Sequence, residues 1–327
     1  MKHLPMKYVY SFLILLVLLA CTKPQSKSTV KANTAKLQDG EHYYTLNGVR
    51  HWVKIAGSEH HTTPLVIVHG GPGGNNYTFE RTAGPELEKA ATIVYYEQRG
   101  CGRSDAPQDP TDYAMQTLIS DLDALRDSLG TEKISLLGYS FGAELSLRYA
   151  IAHPTHTEKL ILSSPAELSP ANMLVQIQGF YAIGDSSLRS GIEKVLKDTT
   201  TLQVKYGNVW NLANTAIVDK FLFVSQEKAR LNRQLWQESK LKNTGLMAKV
   251  YIQHNKADLV QKANGLQTPT LLISGIYDKN GGLHTGLALK QVLPNSSLNL
   301  YHNSAHFPDI EEPQRFASDV KTFVSSK

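Results

Sequence analysis

Lys133–Ala152, KISLLGYSFGAELSLRYAIA, is the stretch that decides how this chain folds. Lys133–Leu137 is a short apolar run rich in β-forming residues, of the kind that makes a buried strand. From Ala143 the apolar residues recur at helical spacing through Leu147 and Ile151. Between the two stands Gly138-Tyr139-Ser140-Phe141-Gly142, a G-x-S-x-G. So sharp a passage from strand to helix forces the serine into a strained backbone conformation, and glycines two residues to either side let strand and helix approach. That geometry sets the Ser140 hydroxyl at the edge of a sheet, within reach of a base.

Working outward, the same strand-then-helix rhythm repeats. Glu41–Leu46 and Val49–Ile55 flank Asn47-Gly48, whose residues both accept positive φ, so the folded part opens with an antiparallel hairpin. Leu65–Val68, Ala91–Tyr96, Lys159–Leu162, Thr270–Ser274 and Ser297–Tyr301 read as further strands. Thr117–Leu129 places Leu118, Leu122, Leu125 and Leu129 on one helical face and stops at Gly130. Alternation of this kind predicts an α/β fold: a mostly parallel eight-stranded sheet with helices on both faces.

The rhythm breaks once. From 166 to 267, about 100 residues run without a clear strand, too long for a loop, and they predict a helical insertion with its own packing, lying as a cap over the catalytic edge. Its aromatics (Phe180, Tyr181, Tyr206, Trp210, Phe221, Phe223, Trp236, Tyr251) read as a small core more readily than as substrate contacts. The strand-bearing core then comprises residues 39–165 and 268–327.

Before the core, Met1–Lys7 is basic, Tyr8–Ala20 almost wholly apolar, and Leu18-Leu19-Ala20-Cys21 closes the run with a small residue before a cysteine. Residues 1–20 thus read as a bacterial lipoprotein signal peptide, with Cys21 the lipidated first residue of the mature chain. The expected location is the bacterial cell envelope, held to a membrane and facing the periplasm or exterior. The alternative is an uncleaved anchor, for which the run is short. Residues 21–38 are a polar tether.

The chain has 327 residues, of which 41% are hydrophobic and 19% charged, enough for a sizeable core. Net charge is +5, spread rather than clustered, so no basic stripe for nucleic acid is present. Only Cys101 accompanies Cys21, leaving no disulfide framework; between Gly100 and Gly102 it reads as a small residue filling a tight loop. No metal site or cofactor is expected, since the adjacent His60 and His61 cannot both ligate from one face of a regular element.

A serine hydroxyl attacks at neutral pH only with a base in hydrogen-bond reach and a carboxylate holding that base in the right tautomer. In folds of this type the chain order is Ser, acid, His, with the last two in loops after strands. Asp278 follows the seventh strand and His306 the eighth. Asp258 sits in the insertion; Asp309, Glu311 and Glu312 lie beyond His306; His302 comes straight off the strand and His284 follows the acid too closely. The N–H of Phe141, next after the serine, is one expected donor to an oxyanion. His69-Gly70-Gly71-Pro72-Gly73-Gly74 exposes backbone N–H groups and reads as the other half of that hole, or as a flexible or phosphate-cradling turn.

His69–Gly74, Glu97-Gln98-Arg99-Gly100-Cys101-Gly102-Arg103-Ser104 and Gly138–Gly142, at these spacings, resemble the proline iminopeptidase family of α/β-hydrolases. The resemblance covers about Leu65–Ser164 and Pro269–Pro308. It implies an aminopeptidase releasing an N-terminal residue, often proline, from short peptides, with Gly71 as the second oxyanion donor. The family usually has Asp where Glu97 stands and Trp where Phe141 stands. Its members bind the substrate's amino group with cap glutamates, yet Lys249–Asn255 here holds no acid, leaving Glu238 and Glu227 as candidates, or as a solvated helix face. Three functions follow in order: a serine aminopeptidase, an esterase or other small-molecule acyl hydrolase, and a non-catalytic surface binding protein. A serine at this turn disfavours epoxide hydrolases and dehalogenases, which use a carboxylate there.

Overall fold

The computed structural model describes residues 37–109, 112–241, 245–254 and 257–326. The leader, Cys21 and the tether up to residue 36 lie outside the described residues. Among the described residues no helix is long and apolar enough to cross a membrane.

Eight strands form one sheet: β1 (Gly40–Leu46), β2 (Val49–Ala56), β3 (Leu65–Val68), β4 (Ile93–Tyr96), β5 (Ile134–Tyr139), β6 (Thr157–Ser163), β7 (Thr270–Gly275) and β8 (Ser296–Tyr301). Their order is β1-β2-β4-β3-β5-β6-β7-β8. β1 pairs antiparallel with β2, and β2 with β4; every pairing from β4 to β8 is parallel. The opening turn has Asn47 at φ 45° and Gly48 at φ 80°, as a two-residue hairpin requires.

Period-2 alternation on strands covered from both sides divides the core in two. Val66, Val68, Leu136 and Leu162 join Leu118, Leu122, Leu145 and Leu147 of helices Met115–Ser128 and Phe141–Ala152. Leu65, Ile67, Leu137 and Ile161 instead meet Leu87 and Phe316 of helices Gly84–Glu88 and Pro313–Ser325. Each such side chain contributes about 1.5–3 kcal/mol of apolar burial, so the sheet is the rigid body on which the loops stand. The chain leaves β3 for β4 on one side and then crosses to β5 on the other, which makes the C-terminal end of β3 the topological switch point where ligands bind in such sheets.

Between β6 and β7 the described residues form seven helices and no strand: Pro170–Ile183, Ser186–Lys197, Leu202–Leu212, Thr215–Leu222, Gln226–Ser239, Gly245–His254 and Leu259–Ala263. Ser169, Asp185, Thr201, Asn214 and Ser225 each accept an N–H from the first turn that follows, which ends one helix and starts the next within a few residues. This cap has its own core: Phe180 stacks on Phe221 with centroids 4.0 Å apart, and Trp210 meets both edge-on. It is stitched to the sheet where His306 N–H donates to Leu222 O at 3.0 Å and Glu311 accepts from Val224 and Ser225 N–H, both at 2.8 Å.

Candidate active site

Strand β5 ends at Tyr139 and a helix begins at Phe141, so Ser140 alone makes the turn, at φ 55° and ψ −124°. Two glycines permit it. A Cβ on Gly138 would lie 2.1 Å from Gly142 O, and one on Gly142 would lie 2.0 Å from Val68 O, so neither position admits a side chain. The strain at Ser140 is held by packing rather than relieved.

The structure brings Ser140, Asp278 and His306 together. His306 Nε2 is 3.0 Å from Ser140 Oγ, and His306 Nδ1 is 3.1 Å from each Asp278 carboxylate oxygen. Asp278 and His306 are both buried, and Asp278 Oδ1 also accepts from the N–H groups of Asn280 at 2.8 Å and Gly281 at 3.1 Å. A carboxylate so held takes the proton of Nδ1 as its third partner, which leaves the Nε2 lone pair facing the serine hydroxyl. The Asn280 side-chain amide donates to the same Nε2 at 3.0 Å. Among the rivals weighed from sequence, Asp258 pairs with Arg148 at 2.9 Å, His284 meets Thr285 Oγ1 at 3.3 Å, and His302 is exposed.

The glycine-rich loop is fixed by the second motif. Glu97, fully buried, accepts from Asn76 N–H at 3.4 Å and from Arg103 Nε at 3.1 Å, while Arg103 lies 3.2 Å over the Trp52 ring. Gln98 Nε2 donates to His69 O at 2.8 Å, and Gln98 N–H donates to His69 Nε2 at 3.1 Å. Burial holds His69 below the ordinary histidine range, so its ring stays neutral and accepts that bond. The Glu97 motif is therefore scaffold. Burial likewise pushes the Cys101 thiol up, which makes it an inert filler.

Ser140 and Asn280 face two cavities at once. One, of about 210 Å³, is lined by Gly71, Phe141, Glu167, Tyr206 and Tyr251; the other, of about 260 Å³, by Asn75, Phe79, Trp210, Trp236, His306 and Asp309. Gly71 and Phe141 thus share a wall beside the serine, and Phe141, at the first position of its helix, has an N–H without an intrahelical partner. Of the cap aromatics read as core, Tyr206, Trp210, Trp236 and Tyr251 line the cavities, Phe180 and Phe221 are core, and Tyr181 is exposed.

Glu227 and Glu238 do not reach this site. Both are exposed on helix Gln226–Ser239, Glu238 is bonded to Gln234 at 2.8 Å, and neither lines a cavity at Ser140. The helix turns Ala229 and Leu235 inward, which sends its acids to solvent. Two other acids do arrive. Glu167, the first acid after β6, is buried and accepts from Leu259 N–H at 2.7 Å and Arg148 Nη2 at 3.4 Å; Arg148 also meets Glu144 at 2.7 Å and Asp258. Burial raises both Glu144 and Glu167 above the ordinary carboxyl range. Asp309, set aside as a triad acid, lines the second cavity. An acid within a few residues of a strand's C-terminal end, or of the base, is the signal that would have found each.

One cluster has metal-ligand composition: Asp123, His153 and His156 place one donor atom each within 4.8 Å of one another. Asp123 Oδ1 already accepts from Arg126, Tyr149 and His156 at 2.8–3.0 Å, and the Arg126 cation beside it opposes a second one.

Residues 63–313 match the family model described as alpha/beta hydrolase fold. The chain belongs to the α/β-hydrolase fold family. Among characterised proteins it is 26% identical to the proline iminopeptidase of Saccharolobus solfataricus over 314 residues, covering 90% of this chain and 95% of that one. Among solved structures it resembles a proline iminopeptidase-related protein from Thermus thermophilus, with TM-score 0.74 and 20% identity over 88% of this chain and 98% of that chain. An esterase from Exiguobacterium antarcticum gives TM-score 0.66 at 21% identity, over 88% of this chain and all of the other. In this α/β-hydrolase fold Ser140, His306 and Asp278 stand together at the C-terminal edge of the sheet.

Proposed function

We propose that this hydrolase works through an acyl-enzyme on Ser140 and is an aminopeptidase of the proline iminopeptidase type, releasing N-terminal residues from short peptides. The observation that carries the reading is the relay of Ser140 Oγ, His306 Nε2 and Asp278, with contacts of 3.0 and 3.1 Å. As Oγ attacks the scissile carbonyl carbon, His306 Nε2 takes its proton and Asp278 stabilises the imidazolium. The carbonyl oxygen, now negative, is met by the N–H groups of Phe141 and Gly71. Collapse expels the amine, which carries away the proton from Nε2; water then repeats the sequence against the ester on Ser140.

Similarity to proline iminopeptidases over nine-tenths of the chain supports the substrate class. The test is turnover of proline and alanine arylamides by the purified protein, with Ser140→Ala as control; no Ser140-dependent release from either removes the reading. A second reading, an esterase or other acyl hydrolase, is favoured by one observation: Glu167, the cap acid beside Ser140, is already occupied by Arg148 and Leu259 N–H. Efficient ester turnover with indifference to a free amino group would establish it. A non-catalytic binding role would leave Ser140 unlabelled by a fluorophosphonate.

The leader adds a location. Cys21 is proposed to carry lipid and to tether the enzyme to a membrane of the bacterial cell envelope. Incorporation of radiolabelled palmitate, lost in Cys21→Ser, tests it.

A further inference from the structure

The cavity of about 260 Å³ contains an accumulation of unsatisfied polarity that the relay does not use. Asp309 Oδ1, Asn75 Nδ2 and Thr78 Oγ1 are all buried without a hydrogen-bond partner among the described residues, and all three residues line this one cavity. A buried polar group left unpaired is destabilising, so three in one place beside Ser140 mark a receptor for a polar ligand group. Ser140 and His306 line the same cavity, so a group seated there lies beside the serine hydroxyl and the imidazole.

The sign of that group follows from charge. Asp309 is 3% exposed, and among the described residues no Lys or Arg pairs with it. The charged groups that act on it are His306 and Glu311. Glu167, in the neighbouring cavity, has its cation built in as Arg148; Asp309 has none. A buried carboxyl without a counter-ion is stabilised when a ligand supplies one. Phe79, Trp210, Trp236 and Phe307 form the walls, which suit a small apolar body carrying a cation, since aromatic faces attract cations.

We infer that Asp309 is the specificity-determining residue that receives the protonated α-amino group of an N-terminal apolar residue, with Thr78 Oγ1 as a second acceptor. This rests on the aminopeptidase reading and assigns to a core residue the task that the cap acids Glu227 and Glu238 do not perform. No bond is made or broken at Asp309; it is a positioning partner for the substrate cation.

The experiment uses the full-length protein in detergent, with alanine and proline p-nitroanilides as amine substrates and p-nitrophenyl butyrate as a substrate without an amine. For Asp309→Asn, the ratio of kcat/KM on the anilides to kcat/KM on the ester is expected to fall about 10- to 100-fold. Equal loss on both substrates would assign Asp309 a merely structural role and overturn the inference. A second measurement needs no variant: pyrrolidine, protonated at neutral pH, should inhibit ester hydrolysis by the unmodified enzyme at concentrations at least about tenfold lower than the uncharged ring cyclopentanol. Equal inhibition by the two would also overturn it. If the anilides are cleaved but the ratio survives Asp309→Asn, the inference fails and the aminopeptidase reading stands. If the anilides are not cleaved while pyrrolidine competes through Asp309, the cation site stands and the aminopeptidase reading fails.

Discussion

The edge of the sheet and the cap meet at Ser140, and they are built by different means. On the sheet side, position is set by backbone: a turn only glycines permit, an Asp278 carboxylate held by two N–H groups, and a loop after β8 anchored by its own N–H. On the cap side, position is set by side-chain packing, with Phe180, Phe221 and Trp210 interlocked and the helices joined by short capped connections. Backbone geometry fixes a reaction; packing fixes what fits beside it. Changes to the first should abolish chemistry with the fold intact, and changes to the second should alter stability or selectivity while the chemistry survives.

The largest effect expected is from Ser140→Ala, which should lower turnover of every substrate at least about 10⁴-fold, as removal of the nucleophile does elsewhere. Circular dichroism should show an unchanged fold. Residual activity within tenfold of the parent would break the comparison at its root, because the sheet edge would then not be where the reaction happens.

Next comes Phe180→Ala, on the cap side. Phe180 is fully buried and stacked on Phe221, so its loss should cost about 3–5 kcal/mol. Amide hydrogen exchange is the measurement that sharpens the comparison. Helices Pro170–Ile183 and Thr215–Leu222 should lose protection while β3, β5 and β6 keep theirs, because the cap has a core separate from the two on the sheet. Uniform loss across the molecule would mean that cap and sheet unfold as one unit.

What was legible in the sequence divides along the same line. β3 at Leu65–Val68, the hairpin turn at Asn47-Gly48, the Ser140 turn and the loops that carry Asp278 and His306 are readable because each depends on local composition and chain order. The cap was readable as helical and as an insertion, since a long stretch without strands has few other solutions. Its side chains were not placed. Glu227 and Glu238 were candidates because they are acids of the cap, but the period of their helix turns both to solvent, and that depends on which face meets the sheet. Asp309 lies on the wrong side of His306 in chain order to serve as its acid, and its place in the second cavity is set by tertiary burial, which leaves no mark on local sequence.

A smaller effect is pH-linked. Burial raises the Asp309 carboxyl from 3.8 to about 7, with His306 and Glu311 the charges acting on it. The folded state therefore keeps a proton over an interval in which the unfolded chain has lost it. Asp309 then contributes stability that is full below about pH 4 and declines as pH rises through about 7. Asp309→Asn cannot lose that proton. In urea unfolding without substrate, the variant should gain on the parent between pH 4 and pH 7, by at most about 4 kcal/mol. A constant difference across that interval would mean that Asp309 is ionised and paired in the folded enzyme, which would move the substrate cation site back toward the cap.

The smallest effect expected is itself a test of which side of the cleft reads the amino group. Glu227→Gln and Glu238→Gln remove acids that lie on an exposed helix face, outside both cavities at Ser140. Surface charges of this kind act on a buried site only through solvent, where a pair at such range is worth a few tenths of a kcal/mol and is screened by salt. Each substitution should therefore change kcat/KM on alanine p-nitroanilide less than about twofold, and less still at higher ionic strength. A loss of tenfold or more from either, selective for the amine substrate over the ester, would require helix Gln226–Ser239 to turn its acidic face inward when substrate binds. Selectivity would then depend on a moving cap rather than on the fixed floor that Asp309 provides.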